Sequence, residues 1–525
     1  VDAEPSALDR LAAHAHDAHV VVVGGGIGGL VAAHECAKVG IRVTLIEAGT
    51  RLGGAVRTVD LGGLRVDLGA EGYATRGGAV RRLVDELGLS DAVVPTAPRA
   101  EWIAGLPGGP VPVPDATLRG IPENPWDESV RRLIGWRGAW RAYLDRIRPP
   151  LTIGQERSLG RLVRTRMGDL VLDRIVAPLS VGGFAIDPDD VDVEAVVPGL
   201  NAALTRTGSL AGAVMQLRAD RARDRRKSSE RDAGTIRSDA GLESLDGGMS
   251  VLVEALEQRL RALDVRIVTG ARVAGLERRD EHWIVELDAG PDPAADADTA
   301  GTGADSAAAN VDPAAAPGPL VSADQVVIAT GASDAHRLLR DHVPDLEATR
   351  TTALEVVTLV VRSPAVSAAP PATAVYPIAG AAAAASVTDS TARWSWMRPE
   401  PDVHVLKVTL GGPGSSTTTA GLDDDGAAAQ ALAAAAALRG VALDGSTMLA
   451  AHRERYLQPD PASALGHAER TETARAAIHR VDGLAVVGAW LAGTGLAQVV
   501  PDAVGEAERV RRTALWGSAD EHPAG

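Results

Sequence analysis

Apolar positions in this chain gather in short runs divided by glycine or charge, and the runs differ in period. Val20 to Val23 are four consecutive valines, the mark of a strand buried on both faces. A glycine-spaced turn and a helix follow, and IRVTLIE at 41–47 reads as a second strand. WIVELD at 283–288 and VVIAT at 326–330 are further strands, and GLAVVGAWLAGTGL at 483–496 reads as strand, glycine turn and helix start. In SLGRLVRTRMGDLVLDRIVAPL at 158–179, Leu159, Leu162, Val163, Leu170 and Ile175 recur at helical spacing while the arginines take other faces, so the segment predicts a helix. Two stretches have almost nothing to bury. Residues 218–240 mix both charges and read as a mobile loop, and the Ala, Asp, Gly and Pro-rich 289–319 reads as a surface excursion between two strands. Around 409–440 alanines permit helix while glycines oppose it, so element boundaries there are weak.

A chain of 525 residues and 54.1 kDa divides into two or three domains. Its net charge of −16 and pI near 5.3 argue against a nucleic-acid partner. Cys36 is the single cysteine, which rules out an intrachain disulfide and a cysteine-rich metal site, and we expect no metal and a reducing, cytoplasmic compartment. Apolar runs such as 20–23 and 428–437 are too short to cross a bilayer, and residues 1–18 lack a basic start and an apolar signal core. Peripheral membrane contact stays open.

The chemistry begins in HVVVVGGGIGGLVAAHECAKVGIRVTLIEAG at 19–49. Gly24, Gly26 and Gly29 have the dinucleotide spacing, which serves a tight turn, close approach to a diphosphate and close helix packing. The helix N-terminus offers free N–H groups to an anion, and Glu47 at the end of the second strand suits two ribose hydroxyls. Cys36 on that helix reads as packing, since no cation marks it as a thiolate. EAGTRLGGAVRT at 47–58 adds Arg51, Gly53, Gly54 and Arg57 along a diphosphate path, which moves the expected cofactor to FAD. Arg57 is either a cofactor contact or a surface charge. In GLRVDLGAEGYATR at 63–76, Gly69 and Ala70 leave little bulk where a ribityl chain or flavin passes. The late run at 483–496 brings Gly488, Trp490, Gly495 and Leu496 to the same site, so the nucleotide domain is expected to form from separated stretches.

This two-part signature resembles the amine-oxidase-like FAD superfamily. LGAEGYATR at 68–76, APRAEW at 97–102 with PVPVP at 110–114, VGGFAIDPDDVDVEAVVP at 181–198 and SLDGGMSVLVEALEQRL at 244–260 are more narrowly similar to oxygen-dependent protoporphyrinogen or coproporphyrinogen oxidases. The resemblance covers most of 19–512. It implies an α/β (α+β overall) fold: an FAD domain assembled from 18–90, 241–345 and 476–518, a mixed-sheet substrate domain from 91–124, 196–240 (including the mobile loop) and 346–475, and a small helical domain at 125–195. It adds Val273 to the cofactor contacts and a ferrochelatase to the candidate partners, and it leaves oligomeric state open. Trp126, Trp136, Trp140 and Tyr143, among arginines in the helical part, either settle on an anionic leaflet or pack against the substrate domain.

The resemblance implies removal of six electrons from a porphyrinogen in three two-electron steps, with dioxygen as acceptor and hydrogen peroxide released each time. Such chemistry needs no triad or metal, and no catalytic residue is assigned. The substrate's propionates call for a cation in an otherwise apolar slot. Arg99 in APRAEW is the first candidate, on the resemblance and because a guanidinium grips a carboxylate with two donors; a hairpin ion pair with Glu101 is the alternative. Arg76 is either a pocket charge or a cap for a helix starting near Gly77. Gly182 and Gly183 either approach the macrocycle or form a turn. Coproporphyrinogen III is the favoured substrate and protoporphyrinogen IX the alternative.

Departures from the family's pattern are concentrated late in the chain. RYLQPDPASALGHAER at 455–470 keeps Gly466 and His467 but lacks the proline-glutamine-tyrosine run, AVYPIAG at 374–380 poorly matches an apolar run ending in valine-proline, and Ala489 and Trp490 replace asparagine and tyrosine. His467 reads as a local hydrogen-bonding residue or as a group polarising cofactor or substrate. Two further functions stay in play. One is an amine or amino-acid oxidase, which would need an aromatic cage at the flavin and to which Trp490 gives a foothold; the other is a catalytically weakened flavin-binding partner.

Overall fold

The computed structural model describes residues 14–98, 100–147, 156–231, 241–288, 319–397, 400–413 and 419–516. The apolar runs meet in a parallel five-stranded sheet ordered Arg266–Val268, Arg42–Ile46, His19–Val23, Gln325–Ile328, Leu484–Val486. Val23 pairs with Ile46 and Ile328, and Ile328 with Val486, so these strands end level with one another. Ligands in such sheets bind at the carboxyl ends of the strands. Helices Ile27–Ala37, Ser250–Ala262 and Leu496–Trp516 close one face through Leu30, Val31, Leu252, Leu256, Val500 and Ala503, all buried. Cys36 is fully buried there, which pushes its thiol up to about 12 and makes it a core side chain.

A second sheet of seven strands runs Met448–Pro459, Thr351–Arg362, Val403–Gly411, Ala384–Asp389, Ala374–Pro377, Glu101–Ala104, Val111–Pro112. It is antiparallel except where Ala374–Pro377 lies parallel to Glu101–Ala104. Helix Asp424–Arg439 covers it with Ala428, Ala431, Leu432 and Ala435, and the ambiguous alanine-rich stretch is helical from Asp424, where Asp423 caps it through the Gly426 N–H.

The helical layer departs from the expected pattern at two points. The segment 158–179 is interrupted: helix Leu159–Met167 ends at Gly168 (φ 92°), and the chain resumes through a π-turn at Leu172–Val176 into helix Ala177–Phe184. Of the predicted apolar positions Leu159, Leu162, Val163 and Ile175 are no more than 4% exposed and Leu170 is half-buried, while Arg166, expected on another face, is buried in an ion pair with Asp145. The expected loop at 218–240 is instead helical as far as Arg231, within helix Leu210–Arg231. Alanine, arginine, lysine and glutamate are good helix formers, so low apolar content removed the packing signal without removing the propensity. Residues 232–240, and the excursion at 289–319 apart from Pro319, lie outside the described residues.

Trp126, Trp136, Trp140 and Tyr143 form one aromatic group with centroid separations of 5.6–6.2 Å. Trp136 and Trp140 are 69% and 58% exposed, and the Arg131 guanidinium lies 4.4 Å over the Trp136 ring.

Candidate functional site

The turn after His19–Val23 is built from contacts that exclude a Cβ. Gly24 has φ 109°, and a Cβ there would sit 2.6 Å from the Ala329 carbonyl oxygen; at Gly29 it would meet the Gly24 oxygen at 1.9 Å. Gly26 is different, because nothing lies within 4 Å of the position its Cβ would take. Gly26 is also the N-cap of helix Ile27–Ala37 and supplies no capping side chain. An open space thus faces the unsatisfied N–H groups of a helix N-terminus, the requirement for an anion.

Glu47 is fixed by the backbone around it. Its Oε2 accepts from Gly25 N at 2.6 Å and its Oε1 from Gly49 N at 2.8 Å. A carboxylate has about four lone-pair sites, so two remain for ribose hydroxyls. Gly270 N donates to Gly49 O and Ala271 N to Glu47 O, which carries the chain past Glu47 to Val273. Val273 is buried, and its carbonyl accepts from Arg337 at 2.8 Å.

The 51–57 loop folds over the first turn. Gly53 N donates to Gly25 O, and a Cβ on Gly54 would be 3.2 Å from the Gly26 Cα. Arg51 donates to the carbonyls of Leu52 and Gly54, and burial together with nearby Arg57 lowers its pKa. Arg57 lies 3.6 Å from Glu454. The small side chains at 69–70 have a local cause, since a Cβ on Gly69 would fall 1.8 Å from the Ala55 carbonyl oxygen and Ala70 N donates to that same oxygen. Close backbone packing therefore demands glycine at 69.

The late segment completes the wall. Gly488 (φ 135°) follows Leu484–Val486, Gly495 precedes helix Leu496–Trp516, and Leu496 is buried. Gln498 bridges Gly495 and Arg76, its amide donating to Gly495 O at 3.1 Å and accepting from Arg76 at 3.2 Å. Arg76 is thus tied to the 488–496 segment, while helix Ala79–Glu86 has Gly78 at its N-cap. Trp490 is 6% exposed, its ring 5.2 Å from His336. His467 is engaged locally, its Nε2 lying 3.1 Å from Leu491 O, and burial lowers its pKa, which keeps the ring neutral.

Of the substrate candidates, Arg99 lies outside the described residues. Its neighbours are placed, with Ala97 N donating to Arg393 O and Ala100 N to Thr373 Oγ1. Glu101 meets the Tyr376 hydroxyl at 3.5 Å. Gly182 and Gly183 belong to helix Ala177–Phe184 rather than to a turn, and a Cβ on Gly182 would be 2.5 Å from the Tyr376 ring and 2.6 Å from Ala385 O, so this glycine lets the helix lie against the seven-stranded sheet.

Sequence reasoning missed a buried ionic group. Glu71 accepts from Lys407 Nζ at 2.8 Å, Trp394 Nε1 at 3.3 Å, Ser390 and Arg393. Burial alone would raise its pKa, but Lys407 and Arg393 hold it at about 2. Nearby Asp67 accepts from Thr58 Oγ1 and from Met249 N at 2.9 Å, pinning the 245–249 turn, and burial pushes it up to about 6. Tyr456, also missed, donates to Leu68 O at 3.2 Å beside Gly69. Glu71 lies in a loop, Ser390, Arg393 and Trp394 on a short helix and its end, and Lys407 on strand Val403–Gly411, so the fold brings together groups from three distant stretches.

The open cradle at Gly26, the uncapped helix and the oriented Glu47 fit FAD. Coproporphyrinogen III oxidase from Bacillus subtilis is 28% identical over 281 residues, covering 52% of this chain and 57% of the relative. The enzyme of that name from Mycobacterium tuberculosis (strain H37Rv) is 33% identical over 274 residues, covering 51% of this chain and 55% of the relative. The matches thus span little more than half of these relatives' own lengths. A crystallised protein from Exiguobacterium sp. 255-15 superposes with TM-score 0.75 at 23% identity, over 94% of this chain and 99% of that one, and so shares the fold. Among the described residues no helix is long and apolar enough to cross a membrane. Residues 27–511 match the family described as flavin containing amine oxidoreductase, and the chain belongs to that family, with FAD as its cofactor.

Proposed function

We propose that the chain is an FAD-dependent oxidase converting coproporphyrinogen III to coproporphyrin III, with dioxygen as acceptor and hydrogen peroxide as by-product. The observation that carries this reading is the likeness to coproporphyrinogen III oxidases, 28–33% identical over about half of the chain. Bound FAD supplies a two-electron acceptor that oxygen can restore. On this reading Gly24, Gly26 and Gly29 hold the diphosphate at the helix N-terminus, Glu47 the adenosine ribose, and 51–57, Val273 and 488–496 the remainder. The division of the nucleotide domain among 18–90, 241–345 and 476–518 is supported by a sheet whose five strands come from those three stretches. Arg99, and Arg76 through its link to Gln498, are the cations proposed for propionates. Peripheral contact with an anionic leaflet draws support from exposed Trp136 and Trp140 beside the exposed Arg132 and Arg137.

Trp490, on which the amine-oxidase alternative stood, is 6% exposed and its ring lies 5.2 Å from His336. The test is an anaerobic flavin-reduction screen with coproporphyrinogen III, protoporphyrinogen IX and simple amines. We expect bleaching of the flavin by coproporphyrinogen. Reduction by protoporphyrinogen alone would overturn the substrate, reduction by amines alone the reaction class, and no reduction despite full FAD occupancy would favour a non-catalytic partner.

A further inference from the structure

We propose that Ser367, His404 and Asp389 form a second active site, a serine nucleophile with its general base, which hydrolyses small carboxylic esters independently of the flavin.

Three neighbouring strands of the seven-stranded sheet bring these residues together. Thr351–Arg362 runs into Ser363, whose side chain accepts from Val366 N at 3.3 Å and caps the short helix Pro364–Ala368 that carries Ser367. His404 is the second residue of Val403–Gly411 and pairs with Val361, and Asp389 ends the next strand, Ala384–Asp389. Asp402, just before the histidine's strand, has φ 67°, and its carbonyl accepts from Ser363 N at 2.7 Å. That bond ties the serine's helix to the start of the histidine's strand.

The geometry gives each side chain a role. Ser367 is exposed, and its Oγ lies 3.0 Å from His404 Nε2. His404 Nδ1 is buried without a well-aligned partner, and Asp389 Oδ2 is 3.4 Å away. Asp389 is 1% exposed; its Oδ1 accepts from Thr391 Oγ1 at 2.5 Å and from Ala392 N at 3.0 Å, and Arg439 stands 3.3 Å from Oδ2. Burial opposes its ionisation, but His404, Arg439 and Thr391 hold the carboxyl below its usual range. An ionised carboxylate only accepts, so when the imidazole is neutral its proton belongs on Nδ1, and Nε2 is left to accept from the Ser367 hydroxyl. Such contacts are often long before substrate arrives and tighten with it. Nucleophile, base and orienting acid are recognised by this geometry and not by their order in the chain.

His404 also borders an open cleft of about 420 Å³, whose wall includes Thr391, Ala392 and Asp402. A cleft of that size takes a short-chain ester, and Asp402 disfavours an anionic one. Ser367 Oγ attacks the ester carbonyl carbon as its proton moves to Nε2; the carbon–oxygen bond to the alcohol breaks, and the alcohol leaves with that proton. Water then attacks the acyl-serine, its proton passing through Nε2 to Oγ, and the carboxylic acid is released. Ester and water give acid and alcohol, with no oxidant involved.

The full-length, FAD-loaded protein would be assayed with p-nitrophenyl acetate and labelled with a fluorophosphonate, the labelled peptide being mapped by mass spectrometry. Wild-type hydrolysis should exceed that of Ser367→Ala and of His404→Gln by about 100-fold or more, and the label should fall on Ser367. Because Ser367 is exposed and apart from the flavin cradle, Ser367→Ala should keep the wild-type flavin spectrum, FAD affinity and unfolding temperature. Asp389 acts through His404 and is a positioning residue. Asp389→Asn keeps an oxygen for Thr391 and Ala392 and should lower kcat with KM unchanged. Hydrolysis by wild type no faster than by Ser367→Ala, a label on another residue, a full rate in His404→Gln, or an Asp389→Asn loss confined to KM or to unfolding temperature would overturn the proposal.

Discussion

Replacing Glu47 with alanine separates two roles that one carboxylate performs. Its oxygens accept from Gly25 N at 2.6 Å and Gly49 N at 2.8 Å, which ties the diphosphate turn to the end of the second strand before any ligand arrives. On the proposed reading the remaining lone pairs serve the ribose. Hydrogen bonds to a charged group contribute roughly 1.5–3 kcal/mol net. Glu47 is half-buried, so water recovers part of the backbone loss, and apoprotein stability should fall by about 2 kcal/mol. Loss of the ribose bonds should weaken FAD binding by a further ~1.5–3 kcal/mol, roughly tenfold to more than a hundredfold in Kd. Glu47→Gln should fall between, because its single carbonyl oxygen can serve one backbone N–H while its amide nitrogen faces the other. Urea unfolding of the apoprotein reads the first loss and calorimetric FAD titration the second. A folded Glu47→Ala protein with wild-type Kd would take Glu47 out of the cofactor site, and unchanged apoprotein stability would refute its role in pinning the turn.

Burial raises Asp67 from 3.8 to about 6, so between those values the folded state binds more protons than the unfolded chain; its contribution is present below about pH 4 and lost as pH rises through 6. Asp67→Asn should remove that slope and stabilise the protein at pH 7.5 by at most about 3 kcal/mol, and parallel thermal scans of both proteins from pH 4 to 7.5 that show the same slope would refute it. Glu71 is depressed to about 2 by Lys407 and Arg393 against burial, so its contribution is present above pH 4.5 and lost as pH falls towards 2. Lys407→Met should cost about 3–5 kcal/mol in chemical denaturation, and Glu71→Gln/Lys407→Met should recover over half; a double variant no more stable than the single would refute the pair as the cause. Arg99→Ala should raise KM for the porphyrinogen without altering the flavin spectrum, with a smaller penalty for a propionate ester. Equal penalties for acid and ester would remove the propionate contact.

What could be read from sequence divides by the range of the cause. The strands at 19–23, 42–46 and 325–328 are legible because a run of valine, isoleucine and leucine carries its burial with it. The glycine spacing is equally local, since the contacts that exclude a Cβ at Gly24 and Gly29 are made within the turn or with the end of the adjacent strand, and Gly26 keeps its side open. Helix Leu210–Arg231 was obscured because charge hides propensity, and the break at Gly168 because a glycine at helical spacing gives no warning of positive φ. Gly69 and Gly182 show the harder case: the need for a missing side chain was legible, but its cause, Ala55 in one and Tyr376 in the other, lies elsewhere in the fold.

The cradle takes that distinction to its limit. Gly24 and Gly488 each lie in a run that sequence alone identifies. They come to one end of the sheet only because Gln325–Ile328 lies between His19–Val23 and Leu484–Val486, and that order follows from long crossovers rather than from any spacing. The same order explains why late departures from the family's pattern are tolerable for the fold. Ala489 and Trp490 follow the strand instead of forming it, so Leu484–Val486 keeps its place whatever follows Gly488. Substitution there acts on what the end of the sheet offers a ligand.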